Sequence, residues 1–202
     1  MARKEVCESL IDSKKKYTEY IENHISNVVR VFNLFGEELY DYVKENRSAN
    51  TKSNYTISFG KLRDNISGHD SSKFSEAEFD PYRARFYPYY EDQKLGDEAI
   101  EEAFDKAWEH HYTYNKHHPE YWTIKISGKE TVIPMSDDAF VEMICDWVAM
   151  SMNFKESTYE WWKNNREKKS QYFIETDLEF IDDVMEHFEK YFDFSETKKE
   201  EA

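Results

Sequence analysis

The residues best suited to chemistry are concentrated in one stretch of the sequence, AWEHHYTYNKHHPEYW, which begins at Ala107. This stretch holds four of the seven histidines in the chain: His110, His111, His117 and His118. Imidazole and carboxylate groups together bind divalent transition-metal ions, so their density here indicates metal chemistry. The remaining ligands, and the elements that position them, must come from elsewhere in the chain.

Helical spacing distinguishes His111 from His110. The sequence predicts a helix from about Asp97, in which Phe104, Trp108 and His111 recur at intervals of three and four on one apolar face. His111 therefore points inward, while His110 is rotated by about 100° around the helix axis. We expect His110 either to contact the metal ligands without binding the ion itself or to lie at the surface.

The second pair of histidines lies next to Pro119, at the predicted end of this helix. If the helix continues that far, His118 falls almost on the same line as His111, with Asn115 between them, and is the favoured ligand. His117 then lies off that line, in the surroundings of the site or at the surface. A residue before proline is biased away from helical backbone angles, so the choice between His117 and His118 stays open. A surface turn rich in histidine is the alternative.

Two further residues occupy positions that should be apolar. His24 falls in the apolar stripe of a helix predicted over residues 13–46, where a core histidine bonded to a carbonyl group is the commoner explanation. Asp146 lies between Met143 and Met150 on a helix face that should be buried. A buried carboxylate costs several kcal/mol unless it is paired, so Asp146 needs a metal ion, an arginine or a tyrosine hydroxyl as its partner.

The dipeptide His69-Asp70 adds two donors, and Lys73 follows one turn later. Lys73 can direct its ammonium group to the place that both donors reach; a solvated polar loop is the alternative. Together the sequence offers four imidazoles and two carboxylates as metal ligands: His24, His69, Asp70, His111, His118 and Asp146. This inventory suits one or two divalent ions (Mn, Fe, Co, Ni or Zn), and Asp70 can bridge two of them.

The composition limits the classes of partner. The formal net charge is −15, and an acidic surface repels phosphate backbones, so we expect no binding of long nucleic acid. No apolar run reaches the about 18 residues of a membrane span, and the N-terminus lacks the apolar segment of a signal peptide. Two cysteines are too few for a disulfide framework. These features predict a cytoplasmic protein with reduced thiols and no membrane partner.

The pattern of the whole chain predicts a mainly α-helical fold, as a single domain over residues 1–202 with a small β-hairpin near 121–134. Glycine and proline are scarce, at 5 and 4 residues, which favours helices over a turn-rich β fold. Periodicity and capping residues predict helices at about 13–46, 59–67, from 97 onward, 137–153, 158–169 and 177–192. Gly36 can kink the first of these, and residues 194–202 are expected to form a flexible charged tail.

The segment PYRARFYPYYEDQKLG at 81–96 is predicted to be an irregular aromatic connection that covers a site, preceded by a capping box of Ser75 and Glu78. Its arginines, Arg83 and Arg85, are candidate phosphate clamps, although solvent-exposed charges are the commoner use. Four tyrosines can stack on a nucleobase or simply pack: Tyr82, Tyr87, Tyr89 and Tyr90.

The order His, His-Asp, His, His, Asp resembles the HD-domain superfamily of metal-dependent phosphohydrolases. The segment HDSSK from His69 is similar to that superfamily's HD-x-G/S-K motif, although prolines interrupt the region that follows it. A closer resemblance, over about residues 17–152, is to a family of small uncharacterised HD-like proteins of bacteria and their phages. That resemblance is carried by the segments HDSSKFSEAEFDPY and EMICDW and by Ala107-Trp108, His111, Asn115, His117-His118 and Tyr121-Trp122.

The resemblance implies an HD-like helical core over about 17–152, on which the C-terminal helices of 157–193 pack. It implies a core metal site formed by His24, His69, Asp70 and Asp146. It also implies a second ion held by His111 and His118. The implied reaction is the hydrolysis of a phosphomonoester or phosphodiester, such as a nucleotide or signalling nucleotide, by metal-activated water.

In this hypothesis Lys73 stabilises charge on the phosphoryl oxygens, and Asp70 or Asp146 orients the water. Further substrate contacts would come from Asn115, Arg83 and Arg85. Two other functions stay open: a non-enzymatic protein that binds a nucleotide or a partner around a structural metal site, and a di-iron oxygenase, which HD-like scaffolds also host. Self-association into a homo-oligomer stays open as well, and the Trp161-Trp162 pair belongs either to an interface or to a packed helix face.

Overall fold

The computed structural model describes residues 6–47 and 57–192 of the chain. This part is mainly helical with one small antiparallel β-hairpin, which confirms the predicted fold class. Its α-helices are α1 (Leu10–Asn46), α2 (Phe59–Ser67), α3 (Phe79–Phe86), α4 (Asp97–Tyr114), α5 (Asp137–Phe154), α6 (Thr158–Lys169) and α7 (Glu175–His187). The hairpin consists of β1 (Thr123–Ile126) and β2 (Lys129–Val132). None of the helices described here combines the length and hydrophobicity that a membrane crossing needs.

Most helix boundaries lie within three residues of the predicted ones. The last helix, predicted over 177–192, already ends at His187, and a separate 3₁₀ helix follows at Glu189–Tyr191. α1 runs through Gly36 without a break, so this glycine does not divide it. The irregular connection predicted at 81–96 is wrong, because α3 and the 3₁₀ helix Asp92–Leu95 occupy most of it. Pro81 lies in the first turn of α3, where its missing N–H would have no acceptor within the helix. The predicted tail of 194–202 lies outside the described residues.

The described residues form two compact units. The first contains residues 6–25 and 68–115, and the second contains 26–47, 57–67 and 116–192. Each unit has a hydrophobic cluster of its own, so each buries apolar surface within itself. The sequence-based expectation of a single domain stays a prediction.

Aromatic packing forms the core of the first unit. Tyr17 and Ile21 of α1 are almost completely buried, and they pack with Tyr82 of α3 and Ala107 of α4. The chain preceding α1 joins this unit through backbone pairing, because the N–H of Cys7 donates to the carbonyl oxygen of Pro88 at 2.7 Å. α1, α3 and α4 are thereby held together around one aromatic cluster.

The core of the second unit is built mainly from α1, α5 and the two C-terminal helices α6 and α7. Its fully buried side chains include Leu39 of α1, Phe140 of α5, Trp162 of α6 and Val184 of α7. The C-terminal helices thus contribute to the core of the second unit, and their packing on an HD-like core stays a prediction. Trp162 is 1% exposed and belongs to the packed face of α6.

The β-hairpin is confirmed within the predicted range. β1 and β2 are antiparallel, with Thr123 opposite Val132. Ser127 and Gly128 connect them with φ angles of 52° and 81°. Positive φ at both central residues is typical of tight two-residue hairpin turns, and glycine at the second of them adopts it without strain.

Gly36 provides a test of packing in the second unit. A Cβ atom at this position would lie 2.5 Å from Cδ2 of Phe32, whose ring is buried and stacks on Phe59 at 5.2 Å. We expect Gly36→Ala to lower the free energy of unfolding by about 1–3 kcal/mol, despite the helix preference of alanine. Gly60→Ala is the matched control, since no atom lies within 4 Å of a Cβ there. Denaturant unfolding compares them; a Gly36→Ala protein as stable as Gly60→Ala would contradict this packing.

Arg47 is a buried guanidinium group directly after α1. Its Nε and Nη2 donate to Oδ1 of Asp177 at 3.2 and 2.8 Å, and its Nη1 donates to Oδ1 of Asp137 at 2.9 Å. Both carboxylates stand in the first turn of a helix, α7 and α5 respectively, where the helix dipole favours negative charge. One cation therefore links the end of α1 to the beginnings of two other helices.

Removing this cation should leave two buried carboxylates uncompensated. We expect Arg47→Met to lower the free energy of unfolding at pH 7 by about 3–5 kcal/mol. Burial raises the pKa of Asp177 and Arg47 opposes that rise, so the pKa should increase further in the variant. A pKa raised by folding favours the folded state at low pH, and the deficit relative to wild type should shrink from pH 7 to pH 4. Urea unfolding at several pH values measures this; a deficit independent of pH would contradict it.

Candidate metal centre

Asp70 lies at a sharp turn that opens the 3₁₀ helix Ser71–Phe74 in the first unit. Its φ and ψ angles of 55° and 16° are in the left-handed region, which is uncommon outside glycine but accessible to aspartate. Its carbonyl oxygen accepts the N–H of Lys73 at 2.9 Å, which fixes the turn. The side chains of His69 and Asp70 are both buried by this arrangement.

Three imidazole rings face the Asp70 carboxylate. Nε2 of His24 and Nε2 of His69 lie 3.4 and 3.6 Å from Oδ2, and Nε2 of His111 lies 3.2 Å from Oδ1. None of the three histidines is more than 2% exposed. Four of the six predicted ligands therefore lie together in the first unit: one from α1, two from the turn and one from α4. Their role as metal ligands stays a prediction.

Lys73 places a positive charge beside this group. Its Nζ lies 2.6 Å from Oδ2 of Asp70, and its side chain is 14% exposed. Burial alone would raise the pKa of Asp70, but the Lys73 ammonium and the imidazoles of His69 and His111 outweigh burial and hold it well below its ordinary value. Asp70 is therefore an anion at neutral pH, and Lys73 reaches it as its position one turn later predicts.

Glu78 is a second buried carboxylate, which the sequence predicts as a helix-capping residue and not as part of the site. Its Oε2 lies 2.7 Å from Nδ1 of His111, and its Oε1 lies 2.7 Å from Nδ1 of His110. The predicted capping box is therefore wrong for Glu78, because its carboxylate turns toward α4 instead of capping α3. The side chain of His110 is 30% exposed and contacts Glu78. This position at the edge of the cluster is consistent with the prediction.

The contact with Glu78 determines which nitrogen of His111 carries a proton. Burial would raise the pKa of Glu78, but hydrogen bonds from His111 and His110 outweigh it and lower the pKa, so this carboxylate only accepts. His111 must then donate from Nδ1. In the neutral ring, Nε2 is an acceptor that faces another acceptor, Oδ1 of Asp70, at 3.2 Å. Such a contact requires a proton or a metal cation between the two atoms.

Asn115 fixes the end of α4 in the first unit. Its Nδ2 donates to Oγ of Ser72 at 2.7 Å and to the carbonyl oxygen of His111 at 2.8 Å. These bonds join the last turn of α4 to the 3₁₀ helix that carries Lys73. The contact of Asn115 with a substrate stays a prediction.

The second unit contains the remaining candidate ligands: His117, His118, Glu142 and Asp146. α4 ends at Tyr114, so the helical line that selected His118 does not exist. His117 is 2% exposed, and its Nδ1 lies 3.2 Å from Oε1 of Glu142, so the surface alternative for His117 is wrong. Asp146 is half-buried on α5, so its burial is less complete than predicted. Ligation by His118 and Asp146 stays a prediction.

Arg83 is used inside the first unit. Its Nη1 and Nη2 donate to the two carboxylate oxygens of Asp92 at 2.6 and 3.0 Å, and its Nε donates to Asp80 at 3.1 Å. Nη1 also donates to Oγ of Ser13 at 3.1 Å. These bonds contradict the predicted phosphate clamp, because Nε, Nη1 and Nη2 of the guanidinium group all donate to side chains of the protein. Arg85 pairs with a partly exposed glutamate, and its role as a clamp stays a prediction.

The predicted tyrosine stack divides in a similar way. Tyr82 and Tyr87 are buried in the aromatic cluster, so their ring faces are taken by neighbouring side chains. Tyr90 is 55% exposed, and the hydroxyl of Tyr89 donates to Glu91 at 3.1 Å. A base can therefore reach Tyr90 but not the faces of Tyr82 and Tyr87.

The two arginines can be separated by experiment. We expect Arg83→Met to lower the free energy of unfolding by about 3–5 kcal/mol, because it leaves Asp92 buried without its cation. Arg85→Met should cost less than about 1 kcal/mol, because its ion pair is near the surface. Thermal unfolding of both variants measures the difference. A stable Arg83→Met protein that had lost phosphate binding would restore the clamp hypothesis.

A helical fold with a buried histidine–aspartate cluster thus describes the chain, and comparison with known proteins gives its family. Residues 13–193 match DUF5662, a family of unknown function, and the chain belongs to that family. No curated protein and no solved structure matches it. The matched range contains every candidate ligand, from His24 to Asp146. The resemblance to HD-domain phosphohydrolases stays a prediction.

Proposed function

We propose that the first unit binds a divalent transition-metal ion and that the protein is a metal-dependent phosphohydrolase. The ligands in this unit would be His24, His69, Asp70 and His111. The observation that carries the proposal is the approach of Nε2 of His111 to Oδ1 of Asp70 at 3.2 Å, while the opposite nitrogen of the same ring bonds Glu78 at 2.7 Å. A cation between the two acceptors satisfies both of them, and a carboxylate behind the ring is the usual support of a metal-ligating histidine.

A metal ion explains the cluster better than protonated histidines do. If His24, His69 and His111 were all imidazolium ions, their three charges and that of Lys73 would face only two buried carboxylates, those of Asp70 and Glu78. Each buried charge carries a desolvation penalty, and two carboxylates do not offset four cations. A single divalent ion allows all three rings to be neutral ligands. Imidazole with carboxylate suits Mn, Fe, Co, Ni and Zn, which are the ions expected from the sequence.

The hydrolase proposal adds Lys73 to the ligands. A divalent ion bound here would supply a Lewis acid and lower the pKa of a bound water. Lys73 is partly exposed beside Asp70, so its ammonium can contact phosphoryl oxygens and stabilise the charge that develops on them. Asp70 can accept a hydrogen bond from the attacking water and orient it. The substrate class is a phosphomonoester or phosphodiester, such as a nucleotide or signalling nucleotide.

The burial of the cluster favours a second candidate function, a non-enzymatic binding protein with a structural metal ion. Structural metal sites are closed, whereas catalytic sites keep a position open for water or substrate. His24, His69 and Asp70 are each 2% exposed, and His111 is fully buried. The two functions share the metal and differ in turnover, so both quantities need to be measured on the same protein.

The first measurement is metal content and affinity. Protein purified without chelators should contain at least one equivalent of a transition metal, and metal-free protein should bind Mn²⁺ in calorimetry. We expect Asp70→Asn and His111→Ala to weaken Mn²⁺ binding by more than about 100-fold, and Glu78→Gln by about 10–100-fold. His187→Ala on α7 is the matched control and should bind normally. A wild-type protein that binds no Mn²⁺, Co²⁺ or Zn²⁺ would refute the metal proposal.

The second measurement is turnover of a panel of phosphoesters by the metal-loaded protein. Lys73→Met should lower kcat by about 100- to 1,000-fold with the metal still bound, because it removes the ammonium that would stabilise charge on the phosphoryl oxygens. The loss of its ion pair with Asp70 should also lower the thermal midpoint. Metal binding without any turnover would favour the structural alternative. The sequence also predicts His118 and Asp146 as ligands; metal content unchanged in His118→Ala and Asp146→Ala would remove them from the ligand set.

A further inference from the structure

Two buried tyrosine hydroxyls in the first unit are not explained by packing. Tyr17 is 1% exposed and Tyr82 is 6% exposed. Neither phenol oxygen has a hydrogen-bond partner within residues 6–47 and 57–192. Burying a hydroxyl without a partner costs free energy that phenylalanine would avoid. The rings pack well, at 5.1 Å from Phe79 for Tyr17 and 4.9 Å from Phe104 for Tyr82, so only the hydroxyls need an explanation.

Both rings adjoin the groups around Asp70. The ring centre of Tyr82 lies 5.9 Å from that of His111 and 5.8 Å from Nζ of Lys73. The ring of Tyr17 lies 6.5 Å from that of Tyr82. Tyr17 also precedes His24 by seven residues on α1, which places the two on the same face of that helix. The two rings that carry these hydroxyls thus lie beside the groups of the candidate metal centre.

A tyrosine hydroxyl has an ordinary pKa of about 10, so both phenols keep their proton at neutral pH. Each phenol is therefore an O–H donor.

We infer that the hydroxyls of Tyr17 and Tyr82 bind an oxyanion beside the metal centre, namely the phosphoryl group of the substrate. This inference rests on the proposed function. A phosphoryl oxygen is an acceptor, so it matches two donors that no acceptor of the described protein uses. Arg83 is paired with Asp92 and cannot supply those donors. The role differs from base stacking, because the ring of Tyr82 is packed and only its hydroxyl is left to bind.

The test separates a ligand contact from a structural one. Tyr17→Phe and Tyr82→Phe are compared with Tyr42→Phe, a control in the second unit whose hydroxyl donates to Oδ2 of Asp183 at 2.7 Å. For each protein, the thermal midpoint, the Mn²⁺ affinity and the affinity of the Mn²⁺-loaded form for inorganic phosphate are measured. We expect the two site variants to keep their Mn²⁺ affinity and keep or raise their thermal midpoint. Their phosphate affinity should fall by roughly 10- to 100-fold each.

The control and the remaining outcomes make the result decisive. Tyr42→Phe should lose thermal stability, because it gives up a hydrogen bond, and should bind phosphate normally. A lower thermal midpoint with unchanged phosphate affinity in the site variants would show structural hydroxyls and overturn the inference, as would wild-type Mn²⁺-loaded protein that binds no phosphate. Absence of Mn²⁺ binding would refute the metal proposal and the inference together. Weakened phosphate binding in a protein without turnover would support the inference and reject only the hydrolase.

Discussion

The buried negative charge of Asp70 is the constraint on which the arrangement of the first unit depends. A carboxylate with 2% exposure is stable only if nearby groups compensate its lost hydration. Three elements supply that compensation: α1 brings His24, the 3₁₀ helix brings Lys73 and α4 brings His111. The turn at Asp70 accepts an uncommon backbone conformation so that its side chain points at all of them. The contacts of the buried carboxylate therefore maintain the unfavourable backbone conformation of Asp70.

A second carboxylate extends this construction outward. Glu78, His111, Asp70 and Lys73 form a series of close contacts, at 2.7, 3.2 and 2.6 Å. The ring of His111 contacts a carboxylate at each of its two nitrogens, so it cannot rotate without losing both contacts. These contacts fix the orientation of the imidazole ring. A fixed ring is expected both for a metal ligand and for a histidine that makes a specific hydrogen bond in the core.

The parts that were predictable from the sequence are those that depend on local pattern. Apolar periodicity predicted most of the helices. His24 was singled out as a polar residue at an apolar position, and His69 and Asp70 were singled out because they are adjacent to each other. Glu78 escaped because its partner His111 lies 33 residues away, and no spacing relates the two before the chain folds. α3 lies partly in a segment predicted to be irregular; Pro81 does not prevent this helix, because the first turn of a helix tolerates proline.

The pair His117 and His118 shows a different limit. The choice between them rested on a helix that continues to Pro119, but Asn115 is already extended, with φ and ψ of −112° and 103°. Once the helix has ended, periodicity no longer says which side chain is buried. Arg83 shows the same limit for charge, because only tertiary contacts reveal that its fork is occupied by Asp92. The sequence indicated which side chains were candidates for the site, but the tertiary contacts of those side chains could not be predicted from it.

The first unit is assembled from two stretches of chain, 6–25 and 68–115, with residues 26–67 between them in sequence. No contiguous fragment shorter than the span from 6 to 115 can therefore contain it. During synthesis the first stretch has to wait, without its aromatic partners, until the second has left the ribosome. Closing that gap costs chain entropy that grows slowly with its length. His24 and His111 come from opposite sides of this gap, so the donor set exists only once the two stretches have come together. An ion held there would stabilise the folded unit against separation of the two stretches.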